Sequence, residues 1–251
     1  MKIDFEIHNN LIVASHITGV YDVNRSATLA NDDFSMVAAW ARSIEALRLQ
    51  GIIFHNNFSD ETCVLHQSEF IHFVKIDYNS LYNPNVFRYF VYAAFLKSYA
   101  HLIKNIFFTD ISDVVVNKNP FHEKIYLDNP TSIFCGDEKE VLANEWMQNH
   151  SNHLRNKIKD YALYEANFKN ETLLNCGIIG GNISSVHPFI EQLKTIHEEY
   201  NSDNDTNYTG DMGAFNYLAR TRYQYKMIHG NPVNTEFKSY SNSSSCWFKH
   251  K

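Results

Sequence analysis

Leu11-Ile12-Val13-Ala14 is an apolar run without alternation, the pattern of a strand buried on both faces of a helix-covered parallel sheet. The residues that follow complete the unit. Val37, Trp40, Ala41, Ile44 and Leu47 recur at helical spacing within 34–48, behind Asp32 and Asp33, where a helix dipole favours acids. Gly51 ends that helix and Ile52-Ile53-Phe54 opens a second strand. Strand, helix and strand in such short order predict a right-handed crossover between parallel neighbours, and hence an α/β fold.

The pattern continues. Strands are predicted over 70–78, at Ile106-Phe107-Phe108, at Val114-Val115-Val116, over 132–136, over 173–182 and over 225–228. Helices are predicted over 85–100 and 185–200, with a short one starting at Gly210-Asp211. Segment 138–167 mixes polar and aromatic residues with weak periodicity, anchored by Trp146 and Met147. It reads as an insertion that carries acceptor contacts or closes as a lid. A Ser/Asn cluster marks 239–251 as a frayed end. The expectation is one domain over 1–240 and a flexible tail over 241–251.

Composition removes several function classes. Net charge is -6, and no basic stripe stands out, which excludes duplex nucleic acid as the expected partner. No apolar run reaches the roughly 18 residues of a membrane-spanning helix. The start, Met1-Lys2-Ile3-Asp4-Phe5-Glu6, lacks the positive and apolar blocks of a signal peptide, so a cytoplasmic protein is expected. Cys63, Cys135, Cys176 and Cys246 are far apart, without the pairing that zinc requires, and read as buried thiols in a reducing compartment.

Two stretches carry chemistry. Between Ile106-Phe107-Phe108 and Val114-Val115-Val116 stand two carboxylates, Asp110 and Asp113. Unpaired acids beside a core cost several kcal/mol, on the order of 2–7 for a polar group left without a partner. A hard divalent cation such as Mg²⁺ or Mn²⁺ is the simplest partner, and it keeps room for substrate phosphates. Asp-Ile-Ser-Asp also fits a strand-end turn in which each Asp caps backbone N–H groups. The second stretch is Leu173-Leu174-Asn175-Cys176-Gly177-Ile178-Ile179-Gly180-Gly181, whose glycines allow either close approach of a ligand or a bulge. Neither standard nucleotide-binding glycine fingerprint is present.

Smaller signals sit at other strand ends. Thr18, Gly19, Tyr21 and Arg25 follow the first strand, where open α/β sheets bind ligands; Tyr21 is suited to stack on a base and Arg25 to pair with a phosphate. The same residues also suit an ordinary βα loop. Arg88 lies upstream of the acid stretch. Asp211 fits a helix N-cap, and His229, before Gly230, fits either a core histidine or a metal ligand.

Taken in order, these stretches resemble the GT-A-fold glycosyltransferases, the broad group that includes glycogenin and bacterial sugar transferases. The resemblance spans about residues 10–240 and is nearest a bacterial branch marked by Thr109-Asp110-Ile-Ser-Asp113-Val114 and Asn119-Pro120-Phe121. It implies a Rossmann-like domain with a mixed, mainly parallel sheet. It implies Mn²⁺ or Mg²⁺ held by Asp110, Asp113 and His229 against the diphosphate of a nucleotide sugar, most often a UDP-sugar. Thr18, Tyr21, Arg25, Arg88, Asp110, Gly177 and Gly230 would line the donor, while Asn175 and Asp211 would orient its sugar. The spacing of the acids departs by one residue from the family's Asp-x-Asp. The Lys-Pro-Trp that often follows the histidine is replaced by Asn231-Pro232-Val233. The implied partners are the nucleotide sugar and a glycan acceptor, in surface polysaccharide synthesis, with peripheral attachment to the cytoplasmic membrane left open. Retention and inversion of the sugar both stay open, with Asp211 as the base if the reaction inverts. Competing classes are a metal-dependent hydrolase or nucleotidyltransferase and a non-catalytic nucleotide-sugar-binding protein.

Overall fold

The computed structural model describes residues 2–22, 26–200, 210–238 and 245–251. The strands in chain order are β1 (Asn10–His16), β2 (Tyr21–Asp22), β3 (Ala27–Thr28), β4 (Gln50–His55), β5 (Ile71–Lys75), β6 (Asn105–Thr109), β7 (Val114–Val116), β8 (Ile133–Val141), β9 (Thr172–Asn182), β10 (Met227–His229) and β11 (Phe248–His250). The helices are α1 (Ala38–Ala46), α2 (Asp60–His66), α3 (Pro84–Tyr99), α4 (Lys124–Asp128), α5 (Glu145–His150), α6 (Asn152–Lys157), α7 (Tyr161–Phe168), α8 (Ile183–Tyr200) and α9 (Asp211–Arg222).

Seven strands make one sheet in the order β10-β8-β9-β6-β1-β4-β5. All its pairings are parallel except those of β9, which runs antiparallel between β6 and β8. The fold is therefore α/β with a mixed, mainly parallel sheet. Successive side chains of a strand point to opposite faces, and the apolar runs feed two cores accordingly. Leu11, Val13, Ile106 and Phe108 pack with Tyr89, Phe95, Phe189 and Leu218 of α3, α8 and α9. Ile12, Ala14 and Phe107 pack with Trp40 and Ile44 of α1 and with Val114, Trp247 and Phe248. Because both faces are covered, the central strands need no polar residue, which is why they read as unbroken apolar runs.

The second core corrects the expectation of a frayed tail. Cys246, Trp247, Phe248 and His250 are buried, and β11 pairs antiparallel with β7, setting His250 opposite Val114. Trp247 accepts from the Asn117 N–H at 2.7 Å and donates its own N–H to the Pro232 carbonyl at 2.8 Å. Residues 245–251 thus close the molecule, while 239–244 lie outside the described residues. Segment 138–167 differs too. It opens as the second half of β8 and continues as three short helices, α5 to α7, packed on α9 and on one another. Gly180 and Gly181 fall inside β9 rather than in a ligand loop. A Cβ on Gly180 would come 2.1 Å from the Phe107 ring, so glycine there serves packing.

Strand direction sets up the site. The carboxyl ends of β1, β4, β6, β8 and β10 share one edge of the sheet. β9 runs the other way and starts there, with Asn175 beside Gly136 and Ile178 beside Thr109. Open α/β sheets bind ligands at that edge.

Candidate functional site

Thr109 is the last residue of β6, and its hydroxyl accepts a buried hydrogen bond from the Trp40 indole at 2.7 Å. Trp40 is a core residue, as expected, and it fixes the point at which the strand lets go. Asp110 follows at once, its N–H bound to the Gly177 carbonyl at 2.7 Å. Asp113 comes just before β7, and its carbonyl accepts from Lys251 N–H at 3.0 Å. The short β7–β11 ribbon therefore ties the acid loop to the end of the chain.

That tie delivers an imidazole. His250 Nε2 lies 3.9 Å from Asp110 Oδ2 and 3.9 Å from Asp113 Oδ2. One ligand atom from each of the three residues falls within 4.8 Å of the other two, and among the described residues this is the group able to hold a metal ion. His250 is 1% exposed, and neither of its ring nitrogens has a hydrogen-bond partner. Burial pushes its pKa down to about 4, against a smaller opposing pull from Asp110. The ring is thus neutral at pH 7 and carries a lone pair, the form that ligates metals. Gly177 forms the floor: a Cβ there would lie 2.6 Å from Asp110 Oδ2 and 2.6 Å from His250 Cε1. Glycine at this point permits close approach, of the site's own side chains in the first instance.

Arg88, on the buried face of α3, bridges Asp110 and Asp211. One guanidinium nitrogen pairs closely with Asp110 Oδ1, and the other reaches Asp211 Oδ2 at 3.2 Å and Cys176 Sγ at 3.2 Å. Burial pushes the Cys176 thiol well up, so it stays neutral beside these charges. Asp211 opens α9 behind Gly210, which takes a left-handed conformation (φ 64°). Its other oxygen lies 3.3 Å from His150 Nε2 on α5. Arg88 is buried and pairs with two carboxylates, contacts that its place in the sequence did not announce.

Asn175 is bound on both sides. Its Oδ1 accepts from Gly177 N–H at 2.7 Å, and its Nδ2 donates to Glu138 Oε1 at 2.8 Å. Burial raises the Glu138 pKa, the Asn175 hydrogen bond opposing the shift.

The structure brings together Arg88, Asp110, Asp113, Asn175, Gly177 and Asp211. It does not bring His229 to the acids. His229 ends β10, and its Nδ1 lies 2.9 Å from Asp137 Oδ2 on β8, with Gly230 (φ 70°) folded against the same carboxylate. The histidine at the acid pair is His250 in place of His229. Thr18 is taken up by the bend that follows β4: its N–H donates to Asn56 Oδ1 at 2.9 Å, and its carbonyl accepts from Asn56 and Asn57. Tyr21 stands on the β2–β3 hairpin, 58% exposed. Arg25 lies outside the described residues. His250, Glu138 and His150 were missed by sequence reasoning. The one available signal was Trp247-Phe248 beside His250, an aromatic pair too apolar for a loose end.

No family model and no curated protein matches this chain. Among solved structures it is similar to the galactosyltransferase LgtC in complex with donor and acceptor sugar analogs, at 13% identity and a TM-score of 0.49, over 96% of this chain and 86% of that one. Among the described residues no helix is long and apolar enough to cross a membrane.

Proposed function

We propose that this chain is a metal-dependent glycosyltransferase that moves a sugar from a nucleotide sugar, a UDP-sugar, to a saccharide acceptor in the cytoplasm. The observation that carries the reading is the convergence of Asp110, Asp113 and His250 at the carboxyl edge of the sheet. A buried imidazole without a hydrogen-bond partner, facing two acids, is costly unless something joins them. Two oxygens and one nitrogen suit Mn²⁺ or Mg²⁺, with the remaining positions left to diphosphate oxygens. A divalent ion so held would neutralise charge on the departing nucleotide.

The chain's own residues supply the rest. Arg88 orients Asp110 through their ion pair, and Asp211 holds Arg88 from the far side. The donor-sugar contact expected of Asp211 requires one of its oxygens to leave Arg88 or His150, so its first role here is positioning. Asn175 and Glu138 border the acids along β9 and β8, in reach of a sugar lying across the strand ends. A two-metal nucleotidyltransferase would need a second cluster of ligands, and the described residues contain one such group.

The test is a melting-temperature series with UDP-sugars, each with and without Mn²⁺. A true donor should raise the melting temperature only with the metal and with its own concentration, the stabilisation reaching about 2.7 kcal/mol at a hundredfold excess over Kd. Asp113→Asn should remove that response and abolish transfer while the unliganded protein melts normally. Stabilisation that is independent of metal, or unchanged in Asp113→Asn, overturns the reading.

A further inference from the structure

Trp146 is the exposed tryptophan of this chain. Of the three, Trp40 and Trp247 are fully buried, whereas Trp146 is 48% exposed. Its ring lies nearly parallel to that of His150, four residues on in α5, with centroids 4.5 Å apart and planes 23° from parallel. One ring face is thus covered and rigidly held, and the exposure belongs to the remainder of the indole.

What lies beneath the stack gives this position meaning. His150 is buried, and its Nε2 sits 3.3 Å from Asp211 Oδ1 without the alignment of a hydrogen bond. Asp211 meets Arg88 at 3.2 Å, and Arg88 pairs with Asp110. A continuous line of contacts therefore runs from the acid pair to an open aromatic surface. Chemistry decides what suits that surface. An indole face offers an apolar, electron-rich plane, and the face of a pyranose ring offers a set of axial C–H groups of matching size and polarity. Its neighbours Glu145 and Gln148 are solvent-facing hydrogen-bond partners for the hydroxyls that ring the sugar.

We infer that Trp146 is the platform on which the acceptor saccharide lies, an inference that rests on the transferase reading above. Stacking on Trp146 would set the acceptor on the α5 side of Asp211, while the nucleotide occupies the Asp110–Asp113–His250 side. The plane orients the sugar by its C–H face, so saccharides with such a face are preferred over acyclic polyols.

The full chain tests this with methyl β-galactopyranoside, methyl β-glucopyranoside and lactose as probes and sorbitol as the acyclic control. With the other two tryptophans buried, acrylamide quenching reports mainly on Trp146. At least one pyranoside should lower the quenching slope and sorbitol should not. In saturation-transfer NMR the same pyranoside should receive magnetisation on its C–H groups. Trp146→Ala should weaken that binding between about two- and tenfold, and Trp146→Tyr should retain most of it. An unchanged quenching slope with all three pyranosides, or undiminished transfer in folded Trp146→Ala, overturns the inference. Manganese and UDP titrations on the same samples separate the two readings. A chain that binds both but leaves Trp146 equally quenchable keeps the transferase and loses the platform. A chain that binds neither, yet shields Trp146 with a pyranoside, loses the transferase and keeps a saccharide site.

Discussion

Two strand-end histidines, one closing β10 of the main sheet and one closing β11 of the short ribbon, differ in what they lack. His229 ends β10, is partly open to solvent, and has its Nδ1 against Asp137 at 2.9 Å. His250 ends β11, is buried, and has no hydrogen-bond partner on either nitrogen although two carboxylates lie 3.9 Å away. A satisfied imidazole is a finished piece of structure, whereas an unsatisfied one that burial keeps neutral still has a lone pair to offer. In the sequence, His229 fitted either a core histidine or a metal ligand, and the family resemblance offered it as the ligand. The fold has instead given that strand end its own acid. The difference teaches that a histidine's place along a strand says less about its task than the number of partners that reach it.

The largest effect should come from the ribbon that holds His250 in place. Trp247 is wholly buried against Phe107, Tyr126 and Phe134. Trp247→Ala should cost about 3–5 kcal/mol of stability in urea unfolding. If the comparison is right, it should also weaken manganese binding under conditions where the protein is still folded, because β11 then no longer presents the imidazole. No comparable loss of metal affinity should follow a destabilising change near His229. Loss of stability with manganese affinity intact would detach the ribbon from the site.

That ribbon is also where sequence reasoning reached its limit. Strands buried on both faces announce themselves locally, as Leu11-Ile12-Val13-Ala14 and Ile106-Phe107-Phe108 do, so β1, β4, β6, β9 and the acid pair were legible. A three-residue strand such as β11 is defined by its partner, β7, more than a hundred residues upstream, and a Ser/Asn cluster precedes it. Its burial is a tertiary fact that no local period encodes. The short helices α5 to α7 were obscured for a related reason: six to eight residues give at most two turns, too few for an apolar stripe to stand out. Arg88 was seen, but its partners were not. Only the fold shows that Asp211, from far along the chain, has come to share it with Asp110.

Next in size is the imidazole itself. His250→Ala removes one of the three proposed ligand groups and should weaken Mn²⁺ binding by at least the roughly 100-fold that losing an outer-shell partner can cost. Calorimetric titration of the unliganded protein reads this without any donor or acceptor. The fold should survive, because the replaced ring makes no hydrogen bond that must be broken. Unchanged affinity would leave the acids without their third partner and return His250 to the role of a buried core residue.

The smallest effect should come from the other histidine, and it sharpens the contrast most. His229→Ala deletes the contact with Asp137, two partly exposed groups whose hydrogen bond is worth about 1 kcal/mol in stability. Manganese affinity should stay at the wild-type value, because His229 is engaged by Asp137 and stands outside the Asp110–Asp113–His250 group. His229→Gln, which can still donate to Asp137, should recover part of the lost stability and leave affinity where it was. Should His229→Ala instead weaken Mn²⁺ as strongly as His250→Ala, both rings would serve one ion, and the β10 strand end would have to move toward Asp110 when the metal binds.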